Sequence, residues 1–209
     1  DGGFALGTIS NGIYILDNKG KTRYHITQNS GLGNNTILSI NEDSDNNLWL
    51  GLDNGINCIN LQTPIKSYKD DEGYLGTVYA SIKYKDKIYL GTNQGLFQKP
   101  YTSNDKFTFI DGTKGQVWTL FEYDNQLFCG HDLGTFLIEE KGINLIYKGS
   151  GTWKINTIPN NANFLLQGNY NGLSVLEKKD GSWIYRNKIE WFDISSRYFE
   201  IAGKSNVFI

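Results

Sequence analysis

Two sets of residues in this sequence have side chains that could contact a ligand. The first set combines amides, one imidazole, one carboxylate and one phenol at the ends of short apolar runs: Asn93, Gln94, His131, Asp132, Asn169 and Tyr170. The second set stands near the start of other apolar runs: Tyr79, Trp118, Trp153 and Arg197. Aromatic rings cover the C–H faces of sugars, and amides hydrogen-bond to hydroxyl groups. If the fold brings both sets to one mouth, they favour carbohydrate binding.

Each of these residue types also has a structural reason to occupy its position. Asn, Asp and Gly are common in tight turns because of their backbone conformations. Aromatic side chains near strand starts commonly pack between neighbouring sheets, and a histidine in a turn is typically a surface residue. The ten residues as a group therefore indicate a ligand site more strongly than any single member does.

The same residues offer little for catalysis. A glycosidase needs two carboxylates that face each other across the scissile bond, whereas Asp53 and Asp132 belong to different repeats. A sialidase needs an arginine cluster, and Arg23 and Arg186 fall on predicted outer strands. No nucleophile-elbow motif occurs, and two His and two Cys are too scattered for a metal cluster. We predict no catalytic residue, metal or cofactor; a glycosidase or lyase is the alternative.

One acidic stretch could instead bind calcium. Residues 42–47, EDSDNN, place carboxylates at Asp43 and Asp45, a spacing that calcium loops use. The stretch lacks a closing bidentate Glu and lies in a predicted hairpin. We therefore interpret it as an ordinary turn.

The segments that carry the candidate residues are copies of one repeat. Each copy has about three apolar residues, a leading Gly, three polar or small residues, and a second Gly. The leading glycines are Gly7, Gly51, Gly91, Gly130 and Gly168, and the second glycines of the last four copies are Gly55, Gly95, Gly134 and Gly172. Around them, four short strands fit each unit of about 40 residues, which is typical of a β-propeller blade.

We therefore predict an all-β fold: a β-propeller of about five four-stranded blades, forming an open, partial propeller from a longer chain. The blades are expected at about residues 4–35, 36–75, 76–114, 115–151 and 152–194, with the start of another at 195–209. First strands are predicted at 77–84, 116–123, 153–158 and 197–203, and fourth strands at 65–69, 107–110, 144–147 and 182–186. A β-sandwich is the alternative.

Composition narrows the possible functions. Aromatic residues make up 14% of the chain and Gly occurs 24 times, which favours strands and tight turns. The net charge is −2 and the basic residues are scattered, which argues against direct nucleic-acid contact. No apolar stretch approaches the length of a membrane span. Cys58 and Cys129 lie on predicted strands two repeats apart, so we expect two buried free thiols.

Residues 29–61 closely resemble a known repeat. The stretch ILSINEDSDNNLWLGLDNGINCINL, preceded by NSGLGNNT, is similar to the propeller repeat of bacterial two-component and one-component regulators. The matching positions are Glu42, Asp43, Leu48, Trp49, Leu50, Gly51, Gly55 and Ile56. The later repeats keep mainly the two glycines.

This resemblance implies a periplasmic, non-catalytic sensing region of an inner-membrane-anchored regulator, one that responds to a carbohydrate. It also implies further blades, a following triple-Tyr domain, a membrane helix and an output module, either a histidine kinase or a helix-turn-helix DNA binder. The expected partners are an oligosaccharide or other small solute, the rest of the sensor and a second copy of the chain. A structural propeller that mediates dimerisation without its own ligand is the alternative.

Overall fold

The computed structural model describes residues 2–63, 70, 73–102, 105–140, 142–203 and 206–209. Within these residues the regular structure consists of strands and one short 3-10 helix, Gln28–Ser30. The chain divides into two compact units, Asp1–Tyr74 (unit 1) and Leu75–Ile209 (unit 2). In the described part, no helix has the length and hydrophobicity needed to cross a membrane.

Unit 1 contains two antiparallel sheets in which the strand order is the chain order. The first sheet comprises β1 (Phe4–Gly7), β2 (Ile13–Leu16) and β3 (Thr22–Ile26). The second comprises β4 (Ile37–Glu42), β5 (Asn47–Leu52) and β6 (Gly55–Asn60). Ile13, Ile37 and Leu50 from both sheets form one buried cluster. The fourth strand predicted at 65–69 lies outside the described residues.

Unit 2 contains three four-stranded sheets and one two-stranded sheet, again in chain order. The first sheet is β7 (Val78–Tyr84), β8 (Lys87–Thr92), β9 (Leu96–Pro100) and β10 (Thr108–Phe109). The second sheet is β11 (Val117–Tyr123), β12 (Gln126–His131), β13 (Gly134–Glu139) and β14 (Gly142–Lys148). The third sheet is β15 (Thr152–Ile158), β16 (Asn161–Asn169), β17 (Gly172–Lys179) and β18 (Ser182–Lys188), and the last sheet is β19 (Glu200–Ala202) and β20 (Asn206–Phe208).

These meanders have the topology of propeller blades, and the all-β prediction is confirmed. The first strands predicted at 77–84, 116–123 and 153–158 closely match observed strands, and so do the fourth strands predicted at 144–147 and 182–186. The predicted ranges 107–110 and 197–203 each contain a shorter observed strand, Thr108–Phe109 and Glu200–Ala202. The continuous apolar runs predicted these segments because the central strands bury side chains on both faces of their sheets, as β12 and β13 do.

Burial on both faces is clearest in β12. Leu127 and Cys129 pack towards the first sheet of unit 2, in a cluster with Leu96 and Val117. Phe128, which lies between them in sequence, packs towards the third sheet in a cluster with Trp183 and other residues. Successive side chains of a strand point to opposite faces, so a continuous apolar run fills two interfaces at once.

The leading glycines are required where consecutive sheets of unit 2 approach each other. A Cβ atom on Gly168 would lie 2.0 Å from the backbone oxygen of Ser196, and one on Gly91 would lie 2.4 Å from Cγ1 of Val117. In each case the contacted residue precedes or begins the next sheet. The repeat therefore keeps Gly at this place because any side chain would separate neighbouring blades.

The two cysteines differ from the sequence prediction. Cys129 is a buried free thiol as expected, and burial raises the pKa of that thiol. Cys58 is also free, but it is exposed, so the prediction of two buried thiols is wrong for this residue. Cys58 lies on β6, the last described strand of its sheet, where no further described strand covers it.

Candidate functional site

The first strands of the three four-stranded sheets in unit 2 carry a β-bulge at the same place. In the first sheet Val78 pairs with Thr92 and Ala80 pairs with Gly91, so Tyr79 has no partner across the ladder. The same shift omits Trp118 from the pairing of β11 and Trp153 from the pairing of β15. A bulge commonly re-aims a side chain, which here affects three of the predicted aromatic residues.

These three aromatic side chains form a continuous shelf with Tyr170. The ring centroids of Tyr79 and Trp118 are 4.9 Å apart, those of Trp118 and Trp153 are 4.5 Å apart, and those of Trp153 and Tyr170 are 4.7 Å apart. Successive rings are tilted by 41°, 43° and 45°. We call Tyr79, Trp118, Trp153 and Tyr170 the aromatic shelf. It unites residues from both sets that the sequence singled out.

Hydrogen bonds hold the polar edges of the shelf. The Trp118 Nε1 donates to the Tyr170 hydroxyl at 2.7 Å, and the Trp153 Nε1 donates to Ser195 Oγ at 3.2 Å. The Tyr170 ring packs against Gly151, where a Cβ would lie only 2.5 Å from the ring. Burial raises the pKa of the Tyr170 phenol, so the hydroxyl keeps its proton to a higher pH than an ordinary tyrosine does. Two indoles are thus fixed in orientation before any ligand arrives.

A cleft of about 370 Å³ opens along this shelf. Its lining residues are Tyr79, Trp118, Thr119, Trp153, Lys154, Arg197 and Tyr198. The Arg197 guanidinium lies 5.0 Å from the centre of the Trp153 ring and 5.5 Å from that of Tyr198. The Lys154 Nζ bonds to the Phe199 carbonyl oxygen at 2.9 Å and to Glu200 at 2.5 Å. The surface of the cleft is therefore largely aromatic, with two cationic side chains in its lining, one of which is paired with a carboxylate.

His131 does not face this cleft. It is fully buried, although the sequence placed it in a turn and predicted a surface residue. Its Nε2 lies 3.1 Å from the Thr113 carbonyl oxygen, and its Nδ1 lies 3.1 Å from the Leu133 amide nitrogen and 2.6 Å from Asp132 Oδ1. Both ring nitrogens thus have protein partners, and the expectation of an accessible imidazole is wrong. Asp132 is partly exposed, and its Oδ1 also accepts from the Gln116 amide.

Asn169 is buried as well, in a ring of hydrogen bonds that the sequence did not reveal. Gln167 Nε2 donates to Ser174 Oγ at 2.8 Å, and Ser174 Oγ donates to Asn169 Oδ1 at 2.5 Å. Asn169 Nδ2 then donates to Thr152 Oγ1 at 3.0 Å. Thr135 Oγ1 donates to Gln167 Oε1 at 2.8 Å and lies 2.9 Å from Thr152 Oγ1. Because the Thr135 proton is used on Gln167, the Thr152 hydroxyl donates to Thr135 and closes the ring.

This closed ring, which we call the polar ring, joins the second and third sheets of unit 2. All five members are buried, and each donates one hydrogen bond and accepts one within the ring. Buried polar side chains must be paired in this way to be tolerated. Asn169 thus acts in the interface between two sheets, and its neighbour Tyr170 is the residue that reaches the shelf.

Asn93 and Gln94 are also separate from the lining of the cleft. The Asn93 Oδ1 accepts a hydrogen bond of 2.8 Å from the Thr77 amide and so braces the segment that leads into β7. Gln94 is exposed, and its backbone amide donates to Thr92 Oγ1 at 3.0 Å. Of the ten predicted residues, the cleft and shelf bring together Tyr79, Trp118, Trp153, Tyr170 and Arg197.

Sequence reasoning missed the other lining residues, Thr119, Lys154 and Tyr198. Thr119 and Lys154 each directly follow a bulged tryptophan, so their repeat position was a usable signal. Tyr198 follows Arg197 in the segment before β19. An aromatic residue beside the predicted arginine was the available clue there.

In the acidic turn of unit 1, both oxygens of the Asp43 carboxylate accept hydrogen bonds from within the protein. Asp43 Oδ1 accepts from the amides of Asp45 and Asn47, both at 2.9 Å. Its Oδ2 accepts from Asn47 Nδ2 at 3.0 Å and from Trp49 Nε1 at 2.8 Å. These bonds, chiefly those from the Trp49 and Asn47 side chains, lower the pKa of Asp43 to about 2. In the described residues no group of three or more His, Cys, Asp or Glu is arranged to hold a metal ion.

Comparison with known proteins supports the resemblance seen in the sequence. Residues 31–54 match the family model described as "Two component regulator propeller", which confirms the recognition of this repeat and the β-propeller fold. No curated protein matches the chain.

Solved structures share the fold. The extracellular domain of a hybrid two component system from B. thetaiotaomicron is similar with a TM-score of 0.61 and 18% identity, over 91% of this chain and 27% of that one. The extracellular domain of a one component system from the same organism has a TM-score of 0.51 and 17% identity, over 99% of this chain and 33% of that one. The chain thus spans a third or less of the length of these two structures.

Proposed function

We propose that this chain is part of a non-catalytic sensing region of a bacterial signal-transduction regulator, and that the cleft of unit 2 binds a carbohydrate. The matched repeat belongs to a family of regulator propellers, and two similar structures are extracellular domains of such regulators. An extracytoplasmic, periplasmic location is part of the proposal. So is the anchoring of the parent protein in the inner membrane.

The aromatic shelf is the observation that carries this proposal. Tyr79 and Tyr170 are exposed and the two shelf tryptophans are half-buried, so parts of all four rings can be reached from solvent. Flat rings that follow one another in steps fit the alternating C–H faces of consecutive sugar units. The cleft of about 370 Å³ falls within the range of small-molecule sites.

The lining favours binding over glycoside cleavage. Glycosidases commonly use two carboxylates that flank the bond to be broken. In the described part of the chain, the residues that line the cleft supply aromatic, hydroxyl and cationic groups but no carboxylate. The arrangement therefore has the groups to hold a sugar in place, and it fits a sensor that releases its ligand unchanged.

Titration with glycans tests the proposal. We expect the protein to bind at least one member of a panel of plant and host oligosaccharides by isothermal titration calorimetry, with quenching of tryptophan emission. Trp153→Ala and Trp118→Ala should each weaken this binding by roughly tenfold or more, because stacking on an aromatic ring is lost. The bound glycan should be recovered intact by mass spectrometry.

Trp191→Ala is the matched control, because Trp191 is 98% exposed and does not line the cleft. It should leave the affinity within about twofold of wild type. Equal affinity in all four proteins would contradict the assignment of the cleft. Failure of every glycan to bind would instead favour a purely structural propeller that mediates dimerisation.

A further inference from the structure

The rim of the cleft contains one cation whose charge the protein leaves unneutralised. Arg197 is exposed, and in the described part of the chain no carboxylate lies within 4.0 Å of its guanidinium. Lys154, the other cation of the lining, is paired with Glu200. Lys154 is therefore not equivalent to Arg197, because it already has a carboxylate partner.

Two aromatic rings hold the Arg197 guanidinium at the cleft. Its centre lies 5.0 Å from the Trp153 ring centroid and 5.5 Å from the Tyr198 ring centroid. Attraction between a cation and the ring faces orients the group without using its N–H donors. The planar donor fork of arginine matches a carboxylate or a sulfate through two parallel hydrogen bonds. The donors are therefore available to an anionic group on a molecule that occupies the shelf.

We infer that the ligand of this cleft is an anionic glycan, whose uncharged sugar faces stack on the aromatic shelf while a carboxylate or sulfate pairs with Arg197. This inference rests on the proposed function and narrows its ligand class. A neutral glycan would use the shelf but would leave the guanidinium unmatched. The acidic group is expected on the sugar nearest to Arg197, whose guanidinium lies 5.0 Å from the Trp153 ring centroid and therefore occupies that side of the indole.

Two matched pairs of probes test the inference. Tetragalacturonate is compared with its full methyl ester, and a sulfated galactan tetrasaccharide is compared with its desulfated form. In each pair the sugar backbone is the same and only the charge differs. We expect one of the acidic probes to bind at least about tenfold more tightly than its neutral partner at low salt, and the gap to shrink as sodium chloride is raised. The pair that shows the gap distinguishes carboxylate from sulfate.

Substitutions of Arg197 test whether this residue causes the preference for the acidic probe. Arg197→Gln should reduce the affinity for the acidic probe to that of its neutral partner, with little change for the neutral probe. Arg197→Lys should keep part of the preference, because it keeps the charge but loses the donor fork. Arg186→Gln is the control, since Arg186 lies on β18 near Glu177 and stacks over Phe164. It should retain the wild-type preference.

The outcomes separate the inference from the function on which it rests. If acidic and neutral probes bind equally and Trp153→Ala weakens both, the ligand is not selected by charge and the inference is wrong, while carbohydrate binding stands. A charge preference that survives Arg197→Gln also overturns it. If neither member of either pair binds and the wider glycan panel fails as well, both the inference and the proposed function are contradicted.

Discussion

The indole nitrogen of Trp118 donates a 2.7 Å hydrogen bond to the phenolic oxygen of Tyr170, 52 residues further along the chain. Trp118 lies on the first strand of one sheet, and Tyr170 lies in the turn between two strands of the next sheet. The bond therefore crosses from blade to blade and fixes two adjacent rings of the shelf. A preformed shelf needs less ordering when a ligand binds.

Tyr170→Phe should loosen this arrangement without removing the stacked ring. The variant keeps the ring beside Trp153 but leaves the Trp118 indole without its acceptor, so we expect ligand affinity to fall about threefold to tenfold and stability to fall by about 1 kcal/mol. Calorimetric titration and chemical unfolding measure the two effects. Tyr185→Phe is the control, since Tyr185 stacks on Tyr147 on an outer strand. Identical affinities for both variants would show that the bond does not position the shelf.

The acidic turn should contribute stability that depends on pH. The pKa of Asp43 is lowered to about 2 from 3.8, so its charged form stabilises the fold above the unfolded pKa and this contribution is lost as pH falls through the folded pKa. Asp43→Asn should therefore destabilise the protein at neutral pH and approach wild type between about pH 4 and pH 2. Urea unfolding across this range measures the difference. For comparison, Asp45→Asn changes an exposed carboxylate of the same turn; if both variants gave the same pH profile, the bonds to Asp43 would not be the cause.

The polar ring should respond strongly to the loss of one member. Gln167→Leu leaves the Thr135 hydroxyl without its acceptor and the Ser174 oxygen without its donor, both in a buried interface. Each orphaned group costs about 1–3 kcal/mol, so we expect a loss of about 2–6 kcal/mol in the free energy of unfolding. Chemical denaturation measures it, with Gln116→Leu as the control because Gln116 is exposed.

A second substitution tests whether the polar ring acts as a unit. Thr135→Val removes the hydroxyl that donates to Gln167. When it is combined with Gln167→Leu, the total destabilisation should be clearly less than the sum of the two single effects, because the two groups that the single variants orphan in this bond, the Thr135 hydroxyl and the Gln167 Oε1, are both absent. Simple additivity would mean that the ring is five independent contacts.

Gly168→Ala should separate the third sheet of unit 2 from the segment that precedes β19. The added Cβ would lie 2.0 Å from the Ser196 backbone oxygen, and backbone cannot move aside as a flexible side chain can. We expect the free energy of unfolding to fall by about 1–3 kcal/mol, as it does for overpacked cores. Urea unfolding measures this change. At Gly33 the nearest atoms would be 3.4 Å and 3.5 Å from a Cβ, so Gly33→Ala serves as the tolerated counterpart. Equal stability of the two variants would refute the spacing argument.

Much of the fold could be predicted because its signal is local and repeated. An apolar run such as LFC is hydrophobic on both faces, and the structure shows Phe128 and Cys129 entering two different clusters. The need for the second glycine of each repeat is also local, because it comes from the turn itself: Gly134 has a φ of 132° at the turn between β12 and β13. Such features depend on a few adjacent residues, so the sequence contains them in readable form.

The candidate site was predictable only in part, because its errors arise from contacts between distant segments. His131 and Asn169 end apolar strands, where polar residues are usually exposed. Their burial depends on Thr113, which lies between β10 and β11, and on Thr152, which lies on β15. Likewise, the alternation of residues in β11 and β15 does not show that Trp118 and Trp153 are omitted from the ladder. That omission is set by pairing with a neighbouring strand, and it decides which way the rings face.

The three bulges affect how the aromatic shelf can change, either in evolution or by mutagenesis. Positions 79, 118 and 153 are exempt from ladder pairing, while the residues on either side of each bulge remain registered with their partners. A combinatorial library confined to these three codons would therefore diversify the recognition surface and leave the architecture beneath it intact. In repeats of this kind, the residues that determine the fold are different from those that would contact a ligand, so new ligand preferences can arise without a new fold.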